Sequence, residues 1–182
     1  MIEINNITKQ KIDKKKIALI GEEFLSAYHL KKAVVSVAIV GDLRMRRLNL
    51  SYRGQDKTTD VLSFSNSEFK SGSGLLKKNA EYYLGEIVIN SSALKKLGNY
   101  EAMFEELNFF SFGHSSSRLQ KKQADYLFYF IFVHGLLHLS GLNDEKEAAR
   151  LDMLQKGKKF LTGLGIEMEE GEKRREKVLK TA

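Results

Sequence analysis

Two histidines, His134 and His138, stand four residues apart in the segment Val133-His134-Gly135-Leu136-Leu137-His138-Leu139-Ser140-Gly141-Leu142-Asn143-Asp144. On a helix, side chains at i and i+4 lie on one face a turn apart, so the two imidazoles can hold one metal ion between them. Gly141 is a natural helix stop. Just beyond it, Asp144 stands where the chain can turn back and supply a third ligand. Two histidines and one carboxylate around an ion with an open position form the donor set of a catalytic zinc site. Gly135 follows the first histidine, so the segment is not the HExxH of zinc proteases and carries no glutamate base of its own. Chemistry here would rest on a metal-activated water or on a base from elsewhere in the chain.

Each of these residues also has a plainer role open to it. The histidines can be a hydrogen-bonded core pair. Asp144, with Glu147 three residues later, has the spacing of a capping box and can be the N-cap of the last helix. Glu145 beside it is a second candidate carboxylate. Arg53, in Tyr52-Arg53-Gly54-Gln55-Asp56-Lys57, is either a charged turn residue or a bidentate phosphate contact, with Lys57 assisting as a point charge. His29 closes the first helix, where a cation suits the dipole, and His114 lies in a polar stretch; neither is assigned a function.

The elements that must position these residues follow from periodicity. Residues 14–29 read as an amphipathic helix with Ile17, Ile20, Phe24 and Tyr28 near helical spacing. The β-branched run Val34–Val40 reads as a strand, Asp42–Ser51 as a short helix, Val61–Phe64 and Leu84–Asn90 as two further strands. Ser91 is expected to cap a helix running toward Lys96, and Tyr100–Phe110 to form another. Ser65–Lys78 and Ser111–Gln123 are polar and read as loops. Asp125–Leu139 reads as a helix apolar on all sides, hence buried, and Glu145–Leu161 as a final amphipathic helix. Strands and helices mix without βαβ alternation, which predicts an α+β fold: a small mixed sheet flanked by helices, with a central buried helix carrying the histidine pair.

The length of 182 residues suits one domain, placed at residues 1–166, with a charged tail over 167–182. At 42% hydrophobic and 29% charged, the chain can bury a core. It has no cysteine, so there is no disulfide partner, and any metal must be held by His, Asp or Glu. The start of the chain is polar and lacks a signal-peptide core. The longest apolar run, Tyr126–Leu139, is too short to span a bilayer. A net charge of +7 favours a polyanionic partner such as nucleic acid, although much of that charge sits in Lys9–Lys16 and Lys173–Lys180.

Three blocks together resemble the YbeY endoribonucleases, a family of ribosomal RNA maturation factors. The first runs from Leu48-Asn49 through Tyr52-Arg53-Gly54 to Asp56-Lys57-Thr58-Thr59-Asp60-Val61-Leu62-Ser63-Phe64 and is similar to LN-x-x-YRG-x-DKPTDVLSF. The second, Leu84-Gly85-Glu86-Ile87-Val88-Ile89, is similar to LGDIVI. The third, His134 to Gly141, is similar to HGLLHLLG. The resemblance implies a mixed sheet with flanking helices, a zinc ion in a basic cleft, and cleavage of single-stranded RNA during ribosomal RNA maturation. It implies His134 and His138 as the first two metal ligands and Arg53 as the cleft arginine. Where the family continues GYDH, this chain has Gly141-Leu142-Asn143-Asp144, which puts Asp144 at the third-ligand position. Thr58 stands in place of a proline, Glu86 in place of an aspartate, and the region 99–123 is longer than usual.

The leading expectation is a metal-dependent endoribonuclease of the cytoplasm, with zinc held by His134, His138 and Asp144. Arg53 and His134 are its expected catalytic residues, Arg53 and Lys57 its phosphate contacts, RNA or the ribosome its partner, and no membrane is involved. Two rivals stand beside it: a non-catalytic RNA- or ribosome-binding relative without the metal, and a metal hydrolase of another substrate.

Overall fold

The structure, a computed structural model, describes residues 1–66, 81–109 and 117–168. Its strands are β1 (Ile2–Asn6), β2 (Ala33–Val40), β3 (Val61–Ser65) and β4 (Tyr82–Asn90). Its helices are α1 (Lys14–Ala27), α2 (Asp42–Arg53), α3 (Glu101–Glu106), α4 (Ser117–Leu139) and α5 (Glu147–Gly163), with 3-10 turns at Ala93–Lys95 and Leu97–Tyr100. The sheet order is β1-β2-β4-β3. The first three strands are parallel, and β3 runs antiparallel to β4 as an edge. This is the expected α+β class with a small mixed sheet.

Strand alternation divides the interior in two. Val35, Val37 and Ile39 of β2 and Ile87 and Ile89 of β4 join Ile17, Ile20 and Phe24 of α1 and the apolar body of α4 in the main core. Val40, Met45, Leu62 and Val88 form a smaller cluster on the other side of the sheet, under α2. In α4, Phe130, Phe132, Leu136 and Leu137 are almost wholly buried. Each such side chain contributes about 1.5–3 kcal/mol by leaving water. Among the described residues, no helix is long and apolar enough to cross a membrane.

Several expectations are corrected. β1 was not anticipated: Ile2 and Ile4 alternate with polar residues over only five positions, and pairing with Val35 and Val37 is what makes the segment a strand. Ser117–Gln123 is not loop but the first two turns of α4. Low hydrophobicity misled there; the stretch is rich in good helix formers, Lys121 pairs with Asp125 one turn on at 2.7 Å, and Gln123 is buried. Ser91 caps no helix, because its hydroxyl donates to the Val40 carbonyl at 3.2 Å and only a 3-10 turn follows. The helix expected over Tyr100–Phe110 is limited to Glu101–Glu106. His114, the segment 67–80 and the tail from 169 lie outside the described residues.

Candidate metal centre

The centre is built at the C-terminal end of α4. Gly135 faces the sheet there: a Cβ at this position would lie 2.9 Å from Ile87 Cγ2 and 3.1 Å from its Cδ1. The glycine after the first histidine therefore seats the helix against β4, and a glutamate there would have no room. Gly141, at φ 101°, ends the helix. Its N–H donates to the His138 carbonyl at 3.0 Å, and the Leu142 N–H donates to Leu137 at 3.1 Å. These two bonds are the paired closure of a Schellman motif, with glycine at its left-handed position.

The turn that follows brings two groups back onto the histidine rings. The Leu142 carbonyl lies 3.2 Å from His138 Nδ1. A proton on Nδ1 donates to it, which fixes the tautomer and leaves the Nε2 lone pair facing away. Asp144 then stands beside both rings. His134 Nε2 and His138 Nε2 are 3.2 Å apart, and Asp144 Oδ2 lies 3.5 Å from the first and 3.6 Å from the second. Among the described residues, these three side chains form the one group whose donor atoms lie close enough together to hold a metal ion.

Tetrahedral geometry supplies a fit test. Bonds of about 2.0–2.2 Å to nitrogen and oxygen space neighbouring donors by roughly 3.3–3.6 Å. Two of the three separations, 3.5 and 3.6 Å, fall in that range and the third, 3.2 Å, is within about 0.1 Å of it, so the residues present fit a metal. Electrostatics point the same way. Burial, and then the charge His138 would carry beside it, push the His134 imidazole down to about 4, against the opposing pull of the Asp144 and Asp60 carboxylates. At neutral pH His134 is therefore uncharged. Its contact with Asp144 is then not an ion pair, and the neutral ring keeps one nitrogen lone pair that it can offer to a cation.

The capping role open to Asp144 is excluded. The N-cap of α5 is Lys146, and no side chain caps that helix. Glu147 instead pairs with Arg150 at 2.7 Å. Glu145 is not part of the donor group; its N–H donates to Asn143 Oδ1 at 2.9 Å.

Arg53 proves to be the last residue of α2 rather than a turn residue, with Gly54 closing the helix at φ 67°. Tyr52 packs its ring on Phe64 of β3, centroids 4.7 Å apart, which ties this helix end to the edge strand. Asn49 Nδ2 donates to the Lys57 carbonyl at 2.8 Å and braces the segment that follows. Across that edge Arg53 and His138 line a common cavity of about 270 Å³, together with Ser63, Ser65, Leu142 and Asn143. Lys57 is exposed and does not line it. A larger cavity of about 600 Å³, edged by Lys9, Lys11, Lys95 and Lys121 and floored by Phe128 and Tyr129, lies toward the other end of α4, away from the histidines.

Sequence reasoning overlooked Ser63, Ser65 and Asn143 as cavity residues. A signal existed in β3: Leu62 and Phe64 take one face and Ser63 and Ser65 the other, so hydroxyls stand where a covered face would ordinarily carry aliphatics. Asp60 was also passed over. It sits at the start of β3, accepts from Val61 N–H at 2.8 Å, and acts on His134 through its charge.

The sequence model of the family described as Endoribonuclease YbeY matches residues 3–165. A Francisella philomiragia protein named Endoribonuclease YbeY is 30% identical over 162 residues, covering 88% of this chain and 85% of that protein. One of the same name from Mycoplasmopsis synoviae is 34% identical over 123 residues, covering 68% of this chain and 64% of that protein. A solution structure of a Thermotoga maritima protein shares the fold, with TM-score 0.51 at 20% identity over 91% of this chain and 92% of that one.

Proposed function

This chain belongs to the Endoribonuclease YbeY family, and from that premise we propose that it is a metal-dependent endoribonuclease cleaving single-stranded RNA in ribosomal RNA maturation. The observation that carries the reading is the convergence of His134 Nε2, His138 Nε2 and Asp144 Oδ2 at tetrahedral spacing. The three would hold zinc, with Asp144 as an anionic third ligand. Zinc held there would supply Lewis acidity toward a phosphoryl oxygen or an attacking water. A carboxylate lowers the charge of the site by one relative to three histidines, which moderates that acidity and makes harder ions more acceptable.

The remaining steps belong to the chain's own groups. Arg53 binds the scissile phosphate in a two-pronged contact and stabilises the charge that builds on it. Its place across the cavity from His138 supports that role. Burial keeps His134 unprotonated near neutral pH and so available as a donor. The Leu142 carbonyl holds the His138 ring in one orientation. Lys57 adds positive charge on the segment after α2, and the net charge of +7 draws in the RNA backbone. The protein would work in the cytoplasm, on ribosomal RNA or the ribosome.

The test is cleavage of a single-stranded ribosomal RNA fragment by zinc-loaded protein beside His134→Ala, with metal content measured for both. Cleavage by the wild type that is lost together with bound zinc in the variant supports the reading. A zinc-loaded wild type that leaves RNA intact overturns it.

A further inference from the structure

Ser63 stands at an unusual place for a hydroxyl. In β3, Leu62 is buried on the α2 side with Val40, Met45 and Val88, while Val61 packs on the main core below α4. Alternation therefore turns Ser63 toward α4. It pairs across the ladder with Ile87, the residue that seats Gly135 between the two histidine turns. Its Oγ is shielded from water and has no hydrogen-bond partner among the described residues. A hydroxyl left in that state costs about 1–3 kcal/mol, and alanine at the same position would avoid the cost.

Asn49 Oδ1 and the Tyr126 hydroxyl are also without partners among the described residues, but neither residue lines the cavity shared by Arg53 and His138. Ser63 does. A serine hydroxyl moves between staggered positions by rotation about one bond, and it can donate one hydrogen bond while accepting others. Because Ser63 lines the same cavity as Arg53 and His138, the partner its hydroxyl lacks is one that arrives with the substrate.

We propose that Ser63 is a substrate-binding residue whose hydroxyl donates a hydrogen bond to a non-bridging oxygen of the RNA phosphate held by Arg53. This rests on the ribonuclease reading and deepens it: Arg53 supplies charge from one side of the cavity, and Ser63 fixes the phosphate from the strand side. No bond to Ser63 is made or broken.

The test compares wild type with Ser63→Ala and Ser63→Cys, the second nearly unchanged in shape but a weak donor. Three quantities are read: the unfolding midpoint, the zinc bound per chain, and the affinity for a single-stranded RNA whose 2′-hydroxyls are methylated, with cleavage of the unmodified RNA alongside. Both variants are expected to be as stable as wild type or more stable and to bind zinc normally. Their RNA affinity is expected to fall roughly ten- to a hundredfold, the range for a hydrogen bond to a charged group, with the cleavage loss appearing in KM. Unchanged RNA affinity and cleavage in Ser63→Ala would overturn the inference and leave the ribonuclease reading standing. Loss of stability or zinc in Ser63→Ala would also overturn it, by showing that the hydroxyl serves the fold. A wild type that neither binds nor cleaves RNA overturns the ribonuclease reading, and this inference with it.

Discussion

Asp144→Asn separates a ligand from a neighbour. The substitution keeps the side chain's size and replaces an anionic oxygen with a neutral amide. In the structure the carboxylate oxygen stands 3.5 and 3.6 Å from the two Nε2 atoms, within the spacing of a tetrahedral ion's donors. Loss of an outer partner of a metal site costs about ten- to a hundredfold in affinity. A direct anionic ligand must therefore cost at least the upper end, about 2.7 kcal/mol or a hundredfold in the zinc dissociation constant. Because Lys146 rather than Asp144 is the N-cap of α5, the metal-free variant should unfold within about 0.5 kcal/mol of wild type. Asp144→His, which returns a third donor, should bind zinc to within about tenfold of wild type, 1.4 kcal/mol. Isothermal titration of zinc into the three stripped proteins, with urea unfolding of each, reads both quantities. Equal zinc affinity for wild type and Asp144→Asn would refute the ligand role. A large loss of stability without metal would restore a structural one.

Three further outcomes are expected. Arg53→Ala should lower RNA cleavage about a hundredfold or more while zinc content stays normal, and Arg53→Lys should recover little, since an ammonium cannot reproduce a two-pronged phosphate contact; full activity in purified Arg53→Ala would contradict its place in the cavity. The metal-free protein should lose stability as pH falls from the ordinary histidine value of 6.5 toward about 4, because the unfolded chain takes up a proton there that buried His134 refuses. The stability that His134 contributes is thus complete above about pH 6.5, and urea midpoints measured across that window should flatten in His134→Gln. Gly135→Ala should destabilise the protein by about 1–3 kcal/mol despite alanine's better helix propensity, since the new methyl meets Ile87 Cγ2 at 2.9 Å in a fully buried contact; a rise in melting temperature would show that β4 yields there at no cost.

The sequence by itself determined the elements whose residues follow a strong local period, and missed those, such as Ser117–Gln123, whose helix carries no apolar stripe. The i, i+4 histidines on an apolar run, the glycine stop after them and the three expected strands each carry their structure in a few consecutive residues, and the structure keeps all of them. The three family blocks likewise reported the fold, because their order and separation are properties of the chain alone. Only the tertiary structure decided what depends on which elements become neighbours. Asp144 has the spacing of a cap and of a ligand alike; the Schellman turn, by directing the chain back over the rings, sets its carboxylate beside both imidazoles rather than at the start of α5. Arg53 and His138 share a cavity because α2 and α4 lie on opposite faces of the sheet and both reach its edge at β3, a relation fixed by strand order and invisible to periodicity. β1 exists as a strand only because β2 offers it a parallel partner. Ser63 reads as one polar residue in a strand until the register sets it opposite Ile87 and turns it toward the histidine helix. Spacing along the chain selects local conformation within a turn or two, whereas the site is assembled from four separate elements by sheet register and helix packing, which the burial of the whole core determines.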